Sequence, residues 1–510
     1  MIDLFLYLIY DNINSYKVVG LYYTLSMTPE SKISENMNET SSESSGKQNF
    51  KGNNPSSNFR RKLNLFDTTK EEHVDLHAVK VRVDKIHVDG LGRTKDDIIK
   101  SQVTELFKAK DFYEVLLRAS RVKEKLRSLG CFKNIGIFID TSQGPDATPE
   151  GVEVTFSVHE MRRLTGGINT MVGNNEGSVI IQAKAPNLCG RGEHLQMEYS
   201  YGSKSSTNIS VSLVKPFVNS WLHTVLTTSV FNTFNRFPWS GFNQYDKGLL
   251  LDFALNPDGA GILKHNLQYE ANYREIVSSK QTSFRVREQC GPNLKSALRH
   301  ICCIDKRDSL LFPTAGSFVQ FSTEVAGLGG DIGFVKNELI MQTNWTPHEY
   351  FTFQLGLQSG LLRGINNEMK VNIADQFFLG GPLNLRGFEM RGCGPRDDGY
   401  SIGGDAYWAV ALHLYTPLPF RPGRNGFGDL FKLHGFINGG NVSNFTFKFD
   451  DNYKDNMKIF TENVRCSAGG GIAMKLGNIA RVELNFIMPL LFLRSDVLRQ
   501  FQFGIGVQYL

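Results

Sequence analysis

Among the side chains able to do chemistry, Arg386 has the most telling surroundings, the run Leu385-Arg386-Gly387-Phe388. A guanidinium is always charged and carries five N–H donors in a flat fork, so away from bulk water it needs planar acceptors or costs several kcal/mol. Gly387 permits a tight backbone beside it, and Phe388 is suited to wedge against a wall. Taken alone, Arg386 is equally well a plain surface-loop arginine. Covalent chemistry finds no foothold. The chain has no GxSxG elbow and no P-loop lysine, and neither His159-Glu160 nor His348-Glu349 has the second histidine of an HExxH pair. Gly327, Gly329 and Gly333 lack a strand-to-helix setting and read as a turn. The seven cysteines (Cys131, Cys189, Cys290, Cys302, Cys303, Cys393 and Cys466) form no CxxC pair, so they read as structural thiols. No metal, no cofactor and no enzymatic activity is expected.

The elements that must position Arg386 are strands. The final residues, FQFGIGVQYL at 501–510, divide by parity: Phe501, Phe503, Ile505, Val507 and Tyr509 on one face, Gln502, Gly504, Gly506 and Gln508 on the other. A strand of about 9–11 residues, apolar on one side and polar or small on the other, is the span of a transmembrane β-barrel. The same alternation runs through Leu195/Met197/Tyr199/Tyr201, Ile209/Val211/Leu213, Phe351/Phe353/Leu355/Leu357 and Val482/Leu484/Phe486/Met488. Polar neighbours such as Glu198, Asn208, Gln354, Glu483 and Asn485 take the opposite face. A β-sandwich also alternates, but this run of strands lacks helices and dense short turns, which favours a barrel of roughly sixteen strands at 161–510. One connection, 362–403, is far longer than the rest. Its richness in Gly, Phe and Leu suits a segment folded into the lumen rather than a disordered one. A barrel closes only when its first strand meets its last. Gly166 and Gly167 near the start (164–172) and Gly504 and Gly506 near the end predict a weak seam there.

Composition agrees. At 510 residues the chain exceeds one ordinary domain, and its hydrophobic content of 41% contains no apolar run long enough for a spanning helix. Net charge is +5 and dispersed, so no nucleic-acid partner is expected. Residues 1–79 are predicted to be a disordered segment and linker, rich in Ser, Asn, Glu and Lys. The first residues lack a basic n-region and a cleavage site, and Met27 is a candidate start. Residues 80–160 read as one α/β unit in the order βααββ, with Thr94 as the predicted N-cap of its first helix.

These residues resemble a family. FFLGGPLNLRGF at 377–388, GGDAYWAVALHLYTPLPF at 403–420, FINGGN at 436–441 and DKRDSLLFPTAGSFVQFSTEVAG at 305–327 are similar to motifs of the outer-membrane protein assembly superfamily. The βααββ unit resembles its POTRA domain. A single such unit without a secretory signal is most similar to the mitochondrial branch, the central barrel of the sorting and assembly machinery. The resemblance implies a sixteen-stranded barrel in the mitochondrial outer membrane, with the POTRA domain in the intermembrane space. It implies insertion of unfolded β-barrel precursors through a lateral gate, alongside accessory subunits and membrane lipid. It also implies that Arg386 meets the inner wall, at positions that carry over to His413 and Asn438; neither is acidic, and Asp405 shares a face with His413. The gate would involve Gly166, Gly167, Gln502, Gly504, Gly506, Val507 and Tyr509; of these, Gln502, Gly504, Val507 and Tyr509 match the superfamily's substrate-strand pattern. A polypeptide-translocating barrel and a solute porin are the alternatives.

Overall fold

The computed structural model describes residues 76–510 except 146, 174–175, 218–223, 258–260, 366–368, 370, 419–426, 445–461 and 478–479. Nearly all of the expected 1–79 segment lies outside these residues. The N-terminal unit comprises β1 (Arg82–Asp89), α1 (Asp96–Val103), a 3-10 turn (Thr104–Lys108), α2 (Phe112–Ser128), β2 (Phe132–Thr141) and β3 (Gly151–Glu160). Its sheet runs β1-β3-β2, with β1 parallel to β3 and β2 antiparallel to it. Helical spacing puts Val115, Ala119, Val122 and Leu126 on the face of α2 that meets Val83, Val154 and Phe156 in one apolar core. Asp111 caps α2, its side chain accepting from Glu114 N. The expected cap at Thr94 is corrected: Lys95 holds the N-cap position of α1 without a side-chain bond. The Thr94 hydroxyl is taken by Glu160 instead, at 2.7 Å.

The barrel opens with β4 (Thr165–Gly173), β5 (Glu176–Pro186), β6 (His194–Gly202), β7 (Thr207–Phe217), β8 (Thr224–Phe237), β9 (Phe242–Leu255) and β10 (Leu263–Ser278). A short helix, α3 (Phe284–Glu288), precedes β11 (Gly291–Asp305), β12 (Gly316–Ala326), β13 (Phe334–His348) and β14 (Phe351–Gly364). The long connection carries a small hairpin, β15 (Arg396–Asp397) and β16 (Tyr400–Ser401). The wall finishes with β17 (Ala406–Pro417), β18 (Phe431–Ser443), β19 (Arg465–Leu476), β20 (Ala480–Leu491) and β21 (Phe501–Gly506). Omitting β15 and β16, these make one sixteen-stranded sheet in chain order, each strand antiparallel to the next. Parity holds along the wall: Phe501 is 60% exposed on the outer face while neighbouring Gln502 is 4% exposed on the inner.

Three boundaries differ from the sequence reading. The lumen connection begins after Gly364 and ends before Ala406, because residues 362–364 still pair with β13. The first wall strand is Thr165–Gly173, one residue later than expected. The last strand stops at Gly506, and 507–510 leave the wall. Tyr509, expected on the outer face, is buried at 4% because its hydroxyl donates to the Arg481 carbonyl at 2.8 Å inside the barrel. Leu510 N donates to the Leu383 carbonyl of the long loop at 2.8 Å.

Candidate functional site

The long connection, over its described residues 371–405, returns into the lumen and brings Arg386 to full burial, at 0% exposure. Its guanidinium meets a carboxylate: Nε and Nη2 donate to Glu483 Oε2 at 3.2 and 3.1 Å, from a lumen-facing position of β20. Glu483 is also fully buried and lies 2.9 Å from Arg481 Nη2, so two guanidinium groups flank one carboxylate. Asn485 Nδ2 adds a hydrogen bond to Glu483 at 2.9 Å. The Arg386 fork also sits 5.1 Å from the Phe436 ring centroid and 5.3 Å from that of Tyr509, where aromatic faces favour a cation.

The backbone of Arg386 is held as firmly as its side chain. Ser467 Oγ donates to its carbonyl at 2.6 Å. With the amide turned so that oxygen faces a donor, Asn438 accepts from Arg386 N at 2.8 Å and donates to Ser467 Oγ at 2.9 Å. Gly387 has φ +90, and a Cβ there would lie 3.0 Å from Ile487 Cγ2, so only glycine fits. Gly387 N donates to Gln502 Oε1 at 3.2 Å, and Gln502 Nε2 donates to the Phe388 carbonyl at 2.6 Å. Leu385 and Phe388 are buried in the apolar cluster beneath the loop. The loop also pairs with the segment before β21: Arg499 N donates to the Gly387 carbonyl and Glu389 N to the Val497 carbonyl, both at 2.9 Å.

Of the wall residues expected around Arg386, Asn438 reaches its backbone and His413 does not reach it at all. His413 Nδ1 lies 2.8 Å from His434 Nε2, and its Nε2 is hydrogen-bonded to the Leu510 carbonyl. Asp405 is displaced from the role considered for it. It lies just before β17, its carbonyl accepts from Leu362 N at 2.7 Å, and the carboxylate at the guanidinium is that of Glu483. Glu483 was readable as a polar-face residue of its strand, but nothing in the alternation ranked it above its polar neighbours.

The seam residues fall into two groups. Gly166 and Gly167 on β4 have room: an added Cβ would meet nothing closer than the Gln182 carbonyl at 3.6 Å and Gln182 Nε2 at 3.9 Å. Gly504 and Gly506 are pressed by the loop, with a Cβ at 2.9 Å from Pro382 Cβ and 2.8 Å from Leu383 Cδ2. Val507 follows the end of the strand and is half-buried. Among the described residues no hydrogen-bonded ladder joins β4 to β21, although every other neighbouring pair around the wall is laddered. Thus β21 is fastened inward to the loop, while β4 presents an unpaired edge.

A second constellation, not foreseen from the sequence, fixes the N-terminal unit to the barrel. Glu160 accepts from Gly92 N, Arg93 N and Thr94 N at 3.1, 3.0 and 2.9 Å, and from the Thr94 hydroxyl. Burial raises its carboxyl pKa, but the Thr94 hydroxyl and these backbone donors outweigh it and hold the group at about 2. Thr94 Oγ1 in turn accepts from Asn187 Nδ2 at 2.8 Å, and Lys95 N donates to the Gly190 carbonyl at 2.8 Å. Arg191 and Asp97 pair at 2.7 Å. Residues 187–193, between β5 and β6, are therefore the socket of the N-terminal unit. Positive φ at Asn187, Gly190 and Gly192 shapes its backbone.

Comparison with known proteins agrees with this architecture. Residues 187–509 match the Omp85 superfamily domain. The sorting and assembly machinery component 50 homolog of Homo sapiens is 41% identical over 433 residues, which cover 84% of this chain and 91% of that protein. The chain belongs to the component 50 family of the Omp85 superfamily. A SAM50-like protein of Drosophila melanogaster is 34% identical over 86% of this chain and 98% of its own length. The fold is also similar to that of BamA from Haemophilus ducreyi, lacking POTRA domains 1-3, with a TM-score of 0.68 at 17% identity, over 84% of each chain.

Proposed function

We propose that this chain inserts and folds β-barrel precursors into the mitochondrial outer membrane, as a sixteen-stranded barrel with a lateral gate between β4 and β21. The single observation that carries the reading is the unladdered seam in an otherwise laddered wall. The obstacle for a precursor is that unpaired strand edges leave N–H and C=O groups unsatisfied in hydrocarbon, at several kcal/mol per group. No covalent chemistry is required; the barrel lends an edge. β4 offers nine residues of it, Thr165–Gly173, and a precursor strand would add there by β-augmentation. β21 is the poorer acceptor, being only six residues long and tied to the loop through Gln502. The pattern Gln502, Gly504, Val507 and Tyr509 in this chain's own tail is the stand-in that an incoming strand replaces. The free edge of β2 in the N-terminal sheet is a second acceptor, placed in the intermembrane space, where precursors arrive.

The plugged lumen speaks against a solute porin. Strand ends and a connecting helix pack on the loop: Phe242 of β9, Ile276 of β10 and Val286 of α3 join Ile373, Phe378 and Ile402 in one apolar cluster. The test is site-specific crosslinking of an arrested precursor to single cysteines. Contacts concentrated along β4 are expected. Contacts spread over lumen positions such as Ser212 and Gln354, with none on β4, would replace the gate by translocation through the interior.

A further inference from the structure

The lumen loop has a second ionic anchor, far from Arg386. Asp375, buried at 2%, accepts from Arg274 Nη1 at 3.0 Å to both carboxylate oxygens and from Lys295 Nζ at 3.2 Å. Its backbone carbonyl accepts from Lys336 Nζ at 3.0 Å. The three cations project from β10, β11 and β13. Their other carboxylates are on the wall: Asp246 is 3.0 Å from Arg274, and Glu324 is 2.7 Å from Lys295 and 2.6 Å from Arg299. Asp375 is the one acid of this cluster that the loop itself supplies. By strand order β10 and β11 stand half a circumference away from β20, which carries Glu483. The loop is therefore ion-paired at both ends of a diameter, with an acid from the loop on one wall and a base from the loop on the other.

We propose that Asp375 is a positioning residue: it fixes the near end of the loop so that Arg386 reaches Glu483 and the Pro382–Leu383 segment backs β21. The inference rests on the assembly reading for its consequence but not for its geometry. Removing the charge at Asp375 leaves Arg274 with Asp246 and Lys295 with Glu324 as their remaining carboxylates, while Lys336 keeps the backbone carbonyl; two buried cations lose a shared anion, which is the costly way to break a buried network. Removing one cation as well restores the balance, because Glu324 keeps Arg299.

The native thiol of Cys393 provides the readout. It lies in the loop, 1% exposed and packed in the cluster that holds Leu385 and Phe388. In the full-length protein in membranes, N-ethylmaleimide labelling at Cys393 is followed by peptide mapping. Asp375→Asn should raise its rate by about tenfold, through more frequent local opening of the loop. The double variant Asp375→Asn with Lys295→Gln should return it to within about threefold of wild type. Assembly of imported porin should fall and recover in parallel. Unchanged labelling in Asp375→Asn, where Arg386→Ala exposes Cys393, would overturn the anchor. So would failure of both the single and double variants to form a barrel, because the carboxylate would then be a folding requirement and not a loop anchor. Exposed Cys393 with full assembly would leave the anchor standing and contradict the functional reading instead.

Discussion

Replacing Arg386 by alanine leaves Glu483 buried with Arg481 as its remaining cation and removes the side-chain ties between loop and β20. Breaking a buried pair from one side costs about 3–5 kcal/mol where the surroundings cannot relax. The expected outcome is a barrel that still forms but melts earlier in a heat-modifiability gel, with porin assembly reduced. Arg386→Lys should recover little, because a point charge cannot make the two donations to Glu483 Oε2. A lysine variant with wild-type melting and assembly would sink this account of the contact. At this scale the sequence made the arginine legible, through its Gly387-Phe388 neighbours, but not its partner. Strand alternation assigns Glu483 to the inner face along with Arg481 and Asn485, and only three-dimensional proximity selects it. The motif carry-over pointed to β17 and β18. There His413 is engaged with His434 and the tail, and Asn438 serves the backbone of Arg386 instead of its charge.

At the scale of elements, the four glycines expected to weaken the seam separate into two physical cases. Gly504 is squeezed by the rigid ring of Pro382, so Gly504→Ala should cost about 1–3 kcal/mol by overpacking and loosen the loop. A Cβ on Gly167 would make only an ordinary contact, 3.9 Å from Gln182 Nε2, so Gly167→Ala should leave the melting midpoint within the error of the same gel assay. Equal effects at both sites would refute the distinction. Parity along 501–506 was readable because a strand in a membrane wall has two unlike faces. The inward turn of 507–510 was not, since an apolar side chain such as Tyr509 satisfies the outer-face pattern equally well when buried against Arg481 and the loop. The βααββ order read for the N-terminal unit is the order of its elements in the structure. The cap at Thr94 was misread because its hydroxyl is claimed by Glu160, sixty-six residues away.

Across the whole molecule, the Glu160–Thr94–Asn187 chain fixes the N-terminal unit against the β5–β6 turn, beside the strand that opens the wall. Glu160 has a folded-state pKa held near 2, below its ordinary range. Its ionised form therefore stabilises the folded N-terminal unit fully above the ordinary carboxylate range, and that contribution is lost as pH falls below that range and through about 2. Glu160→Gln should raise amide exchange in 92–94 at pH 7, and the gap from wild type should narrow as the buffer is acidified toward 3. A gap that widens on acidification would contradict the assigned sign. The docking could not be read from sequence because its members are separated along the chain and each, taken singly, is an ordinary loop residue.

The most direct measurement bears on whether β4 and β21 part during assembly. Cysteines at the outward positions Ile168 and Phe503, in a background lacking the seven native thiols, can be joined by a flexible, cleavable thiol crosslinker. Newly imported porin is then followed on native gels. The account predicts that assembly stops while the link is intact and resumes once it is cleaved. Unimpaired porin assembly with the two strands held together would contradict it.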